Sequence, residues 1–562
     1  MEERARVLED LAWAADFDPR DPRLGLDWED LSSDRLTRRT MLRLVLASGA
    51  LHYLVPLFAP APAFAQGQPG GELKAAWAVR EFTNLDPAYI NQVVQFQVTS
   101  NVLGGLTHID AGLIPRPDLA EGWEVSSDGL TWTFRLRRGV RWHNGDRFTA
   151  DDVVFTFNRT RDPATQSLHR SILDPIERLE KLDDFTVRFH MKEPRASFLI
   201  KITERSSGRA LTIVNRRAIQ QLGREGHTRR PVGTGPFRIV EHRLGERLVL
   251  EKFPDYHVSG RPLVDRVTIF NIEEPATLVS AIESGQVEYI NAVPEALRPR
   301  LAGNPQVTIS SADDPGFQAI FFNLRRDKAQ RIGRDRLPTD DQKVRLAMAK
   351  GMDRDDLIRR ALFGRGVPAY GPIPRAQKQY FRDLGATSAQ RFDPDEARRL
   401  LAEAGYPNGF KIKMLVTPLV RRRGEVIADI YKRTLRLDIE LEVVDFPVQV
   451  QRLNQGQYEL VQIGSGGDPD PDDSIDDWFW SGAKFNTFGY NNPQVDALND
   501  AQRETADVTK RVRWVQAAVD LIAKDAPCVF LFHPMDELAY RKHVRGVLHI
   551  PGLRDLDTIT VR

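Results

Sequence analysis

Residues 131–136, TWTFRL, constrain the fold more than any other short stretch of this chain. Trp132, Phe134 and Leu136 alternate with Thr131, Thr133 and Arg135. A period of two predicts a strand with one buried face, because successive strand side chains point to opposite sides. The segment HNGD follows, with Asn144-Gly145 as a tight turn. Thr149 then precedes Asp151 and Asp152, a helix cap followed by carboxylates that suit the positive end of the helix dipole. Within about thirty residues the period changes from that of a strand to that of a capped helix, the mark of a layered α/β chain.

The same alternation recurs downstream. Residues 73–79 predict a first strand, with NLDP as a turn. The segment PVGTGPF leads into a hairpin with strands at 237–241 and 247–252. Gly233 and Gly235 superficially resemble a phosphate loop, but Pro236 and a strand follow them instead of Lys-Ser/Thr and a helix, so a tight turn is expected. In DRDDLIRRALFG, Asp353 caps a helix and Gly364 stops it. In DPDEARRLLAEAGY, Asp393 is the cap, Pro394 the first helical residue, Glu396 the capping-box partner and Gly405 the stop. FKIKMLV and IELEVVDF read as strands, and RVRWVQAAVDLIAKDAP as a helix with Trp514, Val515, Ala518, Val519 and Ile522 on one face. No repeat of 20–50 residues is visible.

With 562 residues, 41% hydrophobic and 28% charged, the chain has the size and composition of two or three globular domains. Its 79 Lys and Arg nearly cancel 78 Asp and Glu, which leaves no basic footprint for nucleic acid. The single cysteine, Cys528 in KDAPCVFLF, reads as a small core residue, since thiolate metal sites need several. No HExxH zinc motif occurs, and His143 in its turn reads as structural, not as a nickel or haem ligand. A Walker lysine loop is also absent, so ATP hydrolysis is not expected.

The N-terminus reads as an address. Arg38 and Arg39 stand before an apolar run that ends in Ala63-Phe64-Ala65, a small-x-small cleavage site. Paired arginines point to twin-arginine export. An uncleaved membrane anchor is the alternative, but the run from 42 to 58 is short for a span, and Pro56, Pro60 and Pro62 interrupt its far end. An acidic extension of 34 residues precedes the signal, and residues 1–65 are set apart from the fold. They carry three more acidic than basic groups, so the remainder has a net charge of about +4. Twin-arginine export invites the idea of a preloaded cofactor; no cofactor motif is present.

Residues 464–480, GSGGDPDPDDSIDDWFW, set six aspartates beside three aromatic rings. Asp468, Asp470 and Asp472 have the spacing of the first calcium ligands of an EF-hand, but Asp473 stands where glycine is required and Phe479 where glutamate is required. Carboxylate-pair catalysis finds no separate acid or nucleophile motif. A structural reading gives Asp473 or Ser474 as a helix cap, with Asp476 and Asp477 favouring its N-terminus.

Taken together, PDLAEGWEVSSDGLTWTFRLRRGVRWHNGDRFTADDVVFTFNR (117–159), PVGTGPF (231–237), VRLAMAKGMDRDDLI (344–358), DEARRLLAEAGYPNGF (395–410) and GDPDPDD (467–473) resemble the extracellular solute-binding proteins of bacterial ABC importers, family 5, the oligopeptide, dipeptide and nickel group. The resemblance spans about 72–545. It implies a type II periplasmic-binding-protein clamshell, α/β, with an extra domain inserted in lobe one. Lobe one is expected from 72–111, 232–312 and 525–562, the inserted domain from 112–231, and lobe two from 313–524. Peptide-binding members use an aspartate of the acidic loop to meet the ligand's ammonium. That makes Asp468 the first candidate and Asp470 the second, with loop structure as the competing reading for each. Such members commonly carry tryptophan three residues earlier; Ser465 stands there, and Trp478 or Trp480 is the candidate replacement wall. Trp77, Arg80, Glu81 and Phe82 follow the first strand where members contact ligand, Asn323 follows an apolar strand, and Arg375 offers a guanidinium to a ligand carboxylate; core or solvated roles compete for each. The implied function is a periplasmic, non-enzymatic and monomeric binding protein without cofactor or metal. It takes a peptide or other amine-bearing solute to a membrane permease and its ATPases. The alternative is an exported hydrolase, a glycosidase or a metal-dependent enzyme, using the aspartates of 468–477.

Overall fold

The computed structural model describes residues 70–90, 92–204, 211–325, 336–505 and 507–561; the export signal expected in 1–65 lies outside them. Three sheets organise the chain. The first has seven strands in the order Val307–Asp313, Met535–Arg541, Tyr289–Ile290, Glu72–Trp77, Arg266–Asn271, Arg247–Lys252 and Phe237–Arg243. The expected hairpin forms its edge. Leu73, Ala75 and Trp77 bury one face of this sheet and Ala76 the other, so the first strand is covered on both sides.

The inserted domain is a four-stranded antiparallel sheet ordered Ala120–Val125, Thr131–Leu136, Thr186–Met191 and Ile176–Asp183. Trp132, Phe134 and Leu136 point into its core, where Val153 and Phe157 of helix Ala150–Arg161 meet them. The cap read from the sequence at Thr149 is present and goes further than expected, as Thr149 and Asp152 are bonded reciprocally in a capping box.

The second large sheet runs Val367–Pro368, Cys528–His533, Phe317–Phe322, Leu460–Ser465, Lys411–Val416 and Asp438–Val443. Ile320 and Phe322 face one helical layer, while Phe317, Ala319 and Phe321 face another. Cys528–His533 is buried along its whole length, as a strand covered on both faces must be. Cys528 is part of that core, and burial pushes its thiol well up.

Two short segments cross between the large sheets. Asp314, Pro315 and Gly316 lead from Val307–Asp313 to Phe317–Phe322, and Pro534 leads from Cys528–His533 back to Met535–Arg541. The Asp314 amide donates to the Pro534 carbonyl at 3.1 Å, tying the crossings together. The return crossing corrects the expected division at 524/525: Cys528–His533 pairs with Phe317–Phe322, so the chain stays with the second sheet until residue 533.

Candidate functional site

The acidic loop starts where strand Leu460–Ser465 ends, opposite Phe317 and hence beside the outgoing crossing. Gly467, with φ of +74°, lets the loop turn against that crossing; a Cβ there would lie 2.2 Å from the Gly316 nitrogen and the Pro315 carbonyl carbon. The Ser465 hydroxyl donates to Asp473 Oδ2 at 2.5 Å, and the same oxygen accepts from the Asp468 amide at 3.1 Å. Gln377 clamps the loop from outside by donating to the carbonyls of Asp468 and Asp470 at 2.8 and 3.2 Å.

Most of the aspartates have structural partners. Asp470 takes a two-pronged ion pair from buried Arg511, at 2.8 and 2.6 Å, and its Oδ1 also accepts from the Asp472 amide at 3.0 Å. It therefore anchors the helical turn that follows, a task expected of Asp473 or Ser474; no side-chain cap comes from either of those two. Asp472 accepts from Gln502 at 2.6 Å and from Ser197 at 2.5 Å. Burial works against its charge, but Arg511 and then Arg195 outweigh it and hold the carboxyl below its usual range. Asp476 meets Arg503 at 3.0 Å, yet burial and then the Asp472 charge push its carboxyl up.

Asp468 is different. It is fully buried, and its Oδ2 lies 3.2 Å from the ammonium of Lys201, a residue of the inserted domain. The same ammonium lies 3.4 Å from Asp477 Oδ2. Nearby, the Ala196 amide donates to the Arg503 carbonyl at 2.7 Å. Segment 195–201 thus docks on the acidic loop from across the gap between lobes. Ile200 packs with Ile109, Leu113, Ala376, Ile550 and Leu553 along the same seam. Elsewhere on the seam, Arg365 donates to the Met535 and Val293 carbonyls at 3.2 and 3.3 Å, and Arg423 to Glu295 at 2.6 Å.

Several expected contacts belong elsewhere. Phe82 and Trp77 are buried in the core of the first lobe, Trp77 stacked on Tyr289 at 5.8 Å. Trp478 is no replacement wall: it stacks on Phe321 at 5.2 Å inside the second lobe. Trp480 receives the Arg503 guanidinium at 5.1 Å. Asn323 is buried and donates to the Gly456 and Tyr458 carbonyls at 2.8 Å each. It lies at the far end of its strand, roughly 20 Å from the crossing at about 3.3 Å per residue. Arg375 does reach the seam, where its guanidinium meets Asp313 at 2.7 Å. Arg80 is exposed, and its carbonyl accepts from Asn271 at 3.3 Å. His143 bonds the Gly235 carbonyl at 3.0 Å and accepts from the Gly233 amide at 3.2 Å, and burial lowers its ring to about 4; it braces the glycine turn. Sequence reasoning missed Lys201, Ser197 and Arg511. One signal existed for the first: FLIKI, helix Phe198–Ile202, carries a lone cation in an apolar run, and such a charge needs a buried partner.

Two sheets joined by two short crossings, with charged side chains meeting over the gap, are the geometry of a hinged clamp. The model of the bacterial extracellular solute-binding proteins, family 5, matches residues 115–487. The chain belongs to that family. It is similar to the glutathione-binding protein GsiB of Pectobacterium atrosepticum, 27% identical over 482 residues that cover 84% of this chain and 90% of that one. It is also similar to heme-binding protein A of Haemophilus influenzae, 27% identical over 468 residues, 77% and 82% of the two chains. Among solved structures, HbpA2 from Haemophilus parasuis aligns with a TM-score of 0.76 at 23% identity, covering 88% of this chain and all of that one. The ABC transporter-associated periplasmic binding protein DppA from Helicobacter pylori, in complex with the peptide STSA, aligns with a TM-score of 0.71 at 24% identity, covering 88% and 98%. The fold is that of a type II periplasmic binding protein. This family 5 chain is the solute-binding component of an ABC importer, not an enzyme, and the comparisons lend nothing to a hydrolase. Among the described residues no helix is long and apolar enough to cross a membrane, and no group of three or more His, Cys, Asp or Glu is placed to hold a metal ion.

Proposed function

We propose that the solute is a peptide or another small amine-bearing molecule, enclosed between the lobes with its ammonium directed to Asp468. The observation that carries this reading is a fully buried carboxylate at the seam whose partner, 3.2 Å away, is an ammonium. A carboxylate closed off from water holds such a group through charge-assisted hydrogen bonds, the strong class. The same burial disfavours a neutral group in its place, because an unpaired buried charge is costly. Glutathione and the peptide STSA, named for two of the similar proteins, both carry a free amine.

Solute binding shifts the lobes toward the closed form, which the permease and its ATPases then receive. The chain acts as a monomer outside the cytoplasmic membrane, exported through the Arg38-Arg39 signal. Thermal unfolding with glutathione, trialanine and N-acetyl-trialanine tests the solute class. A rise in Tm with the free amines and none with the acetylated peptide is expected. Equal shifts with both trialanines, or no shift with any amine, would overturn it. Retention of the Arg38→Lys, Arg39→Lys variant in the cytoplasm tests the route.

A further inference from the structure

The seam contains an ammonium of the chain's own at the place where the solute's amine is expected. Lys201 stands between two carboxylates that differ in exposure: Asp468 is fully buried, whereas the Asp477 side chain is 29% exposed. Its distances to them, 3.2 and 3.4 Å, are nearly equal, and the ammonium turns about a flexible stem. Lys201 itself is only 15% exposed and comes from the inserted domain, so the pair with Asp468 also bridges the lobes.

We propose that Lys201 is a specificity-determining residue: a tethered ammonium that occupies Asp468 when no solute is present and moves to Asp477 when a solute's amine takes its place. The inference rests on the amine reading above and adds the competitor. The exchange leaves no buried charge unpaired at either end, the condition under which it costs least. A second cation that arrived while Lys201 still held Asp468 would meet repulsion from an ammonium that already lies against both carboxylates. The cleft therefore discriminates by how well a solute's ammonium outcompetes an intramolecular one, whose effective concentration is high. Weakly held monoamines are rejected, and solutes with further contacts in the cleft are admitted. Without solute, the same pair adds to the closed form.

Two measurements test this on the exported chain. Small-angle scattering without solute is compared for wild type, Lys201→Met, Asp468→Asn and the double variant. Equal expansion in both single variants, with no further expansion in the double, is expected. Dimensions unchanged from wild type in both single variants would overturn the proposal. Titration calorimetry with trialanine then reads the competition. Lys201→Met is expected to bind at least about tenfold tighter. Asp477→Asn, which removes the alternative seat for Lys201, is expected to bind about tenfold weaker. An unchanged or weaker affinity in Lys201→Met would sink the competitor role. Should trialanine bind none of wild type, Lys201→Met and Asp477→Asn, the amine reading of the solute falls, while the scattering result still decides whether Lys201 closes the seam.

Discussion

Arg511 illustrates how little of a buried ion pair is written in its own neighbourhood. It stands on helix Val508–Asp525, faces Asp470 and Asp472 from some forty residues away, and is buried. Burial opposes its charge, yet Asp470 more than compensates and raises the guanidinium further. Arg511→Met strands two carboxylates, and a loss of about 3–5 kcal/mol in denaturant unfolding is expected. A loss below about 1 kcal/mol would return Asp470 to the ligand candidates. Gly467→Ala tests the loop geometry, since its Cβ would run into the crossing backbone; lower stability and a changed solute-free lobe separation by scattering are expected. Sequence reading put Asp468 first among the loop's ligand candidates but did not offer Lys201, 267 residues away, as an ion-pair partner. Phe82, Trp478 and Asn323 were misplaced for one reason: position along a motif does not say which way a side chain packs.

Helix starts were legible because capping is local chemistry. Asp353 accepts from the Asp356 amide at 2.9 Å and Asp393 from the Glu396 amide at 3.0 Å, each three residues on, as the patterns require. Asp393→Ala is expected to cost about 1 kcal/mol, read by thermal unfolding. The acidic turn was not legible in the same way, because Asp470, whose carboxylate accepts from the Asp472 amide, is held in place by Arg511, and Asp472–Asp476 form a π-helical turn. The outgoing crossing has a pH dependence of its own. Burial, and then the Asp536 charge, push Asp314 up to about 7. A carboxyl raised in the folded state stabilises fully below its unfolded value near 4 and loses that contribution as pH rises through about 7. Between pH 5 and 7.5 the unfolding free energy of wild type is therefore expected to fall relative to Asp314→Asn. A constant difference would show that Asp314 does not titrate there.

For the molecule as a whole, the alternation of strands and helices announced an α/β chain, and the resemblance carried by its motifs implied the two-lobed fold. The misjudged return crossing followed from Cys528–His533, an apolar strand that either sheet could have covered; only its pairing with Phe317–Phe322 decides. Both crossings leave the lobes free to rock, so the seam contacts set the resting shape. Arg365→Ala removes bonds to the Met535 and Val293 carbonyls, and a wider solute-free particle is expected in scattering. An unchanged profile would place the closing force elsewhere on the seam. The return crossing bears on biosynthesis as well. Met535–Arg541 lies between Val307–Asp313 and Tyr289–Ile290, so the first sheet keeps an open slot until residues 535–541 are made, after every strand of the second sheet. The ribosome must finish the second sheet before the earliest-made strands of the first can be closed over, and a message cut off after codon 534 yields one complete sheet beside a gaping one.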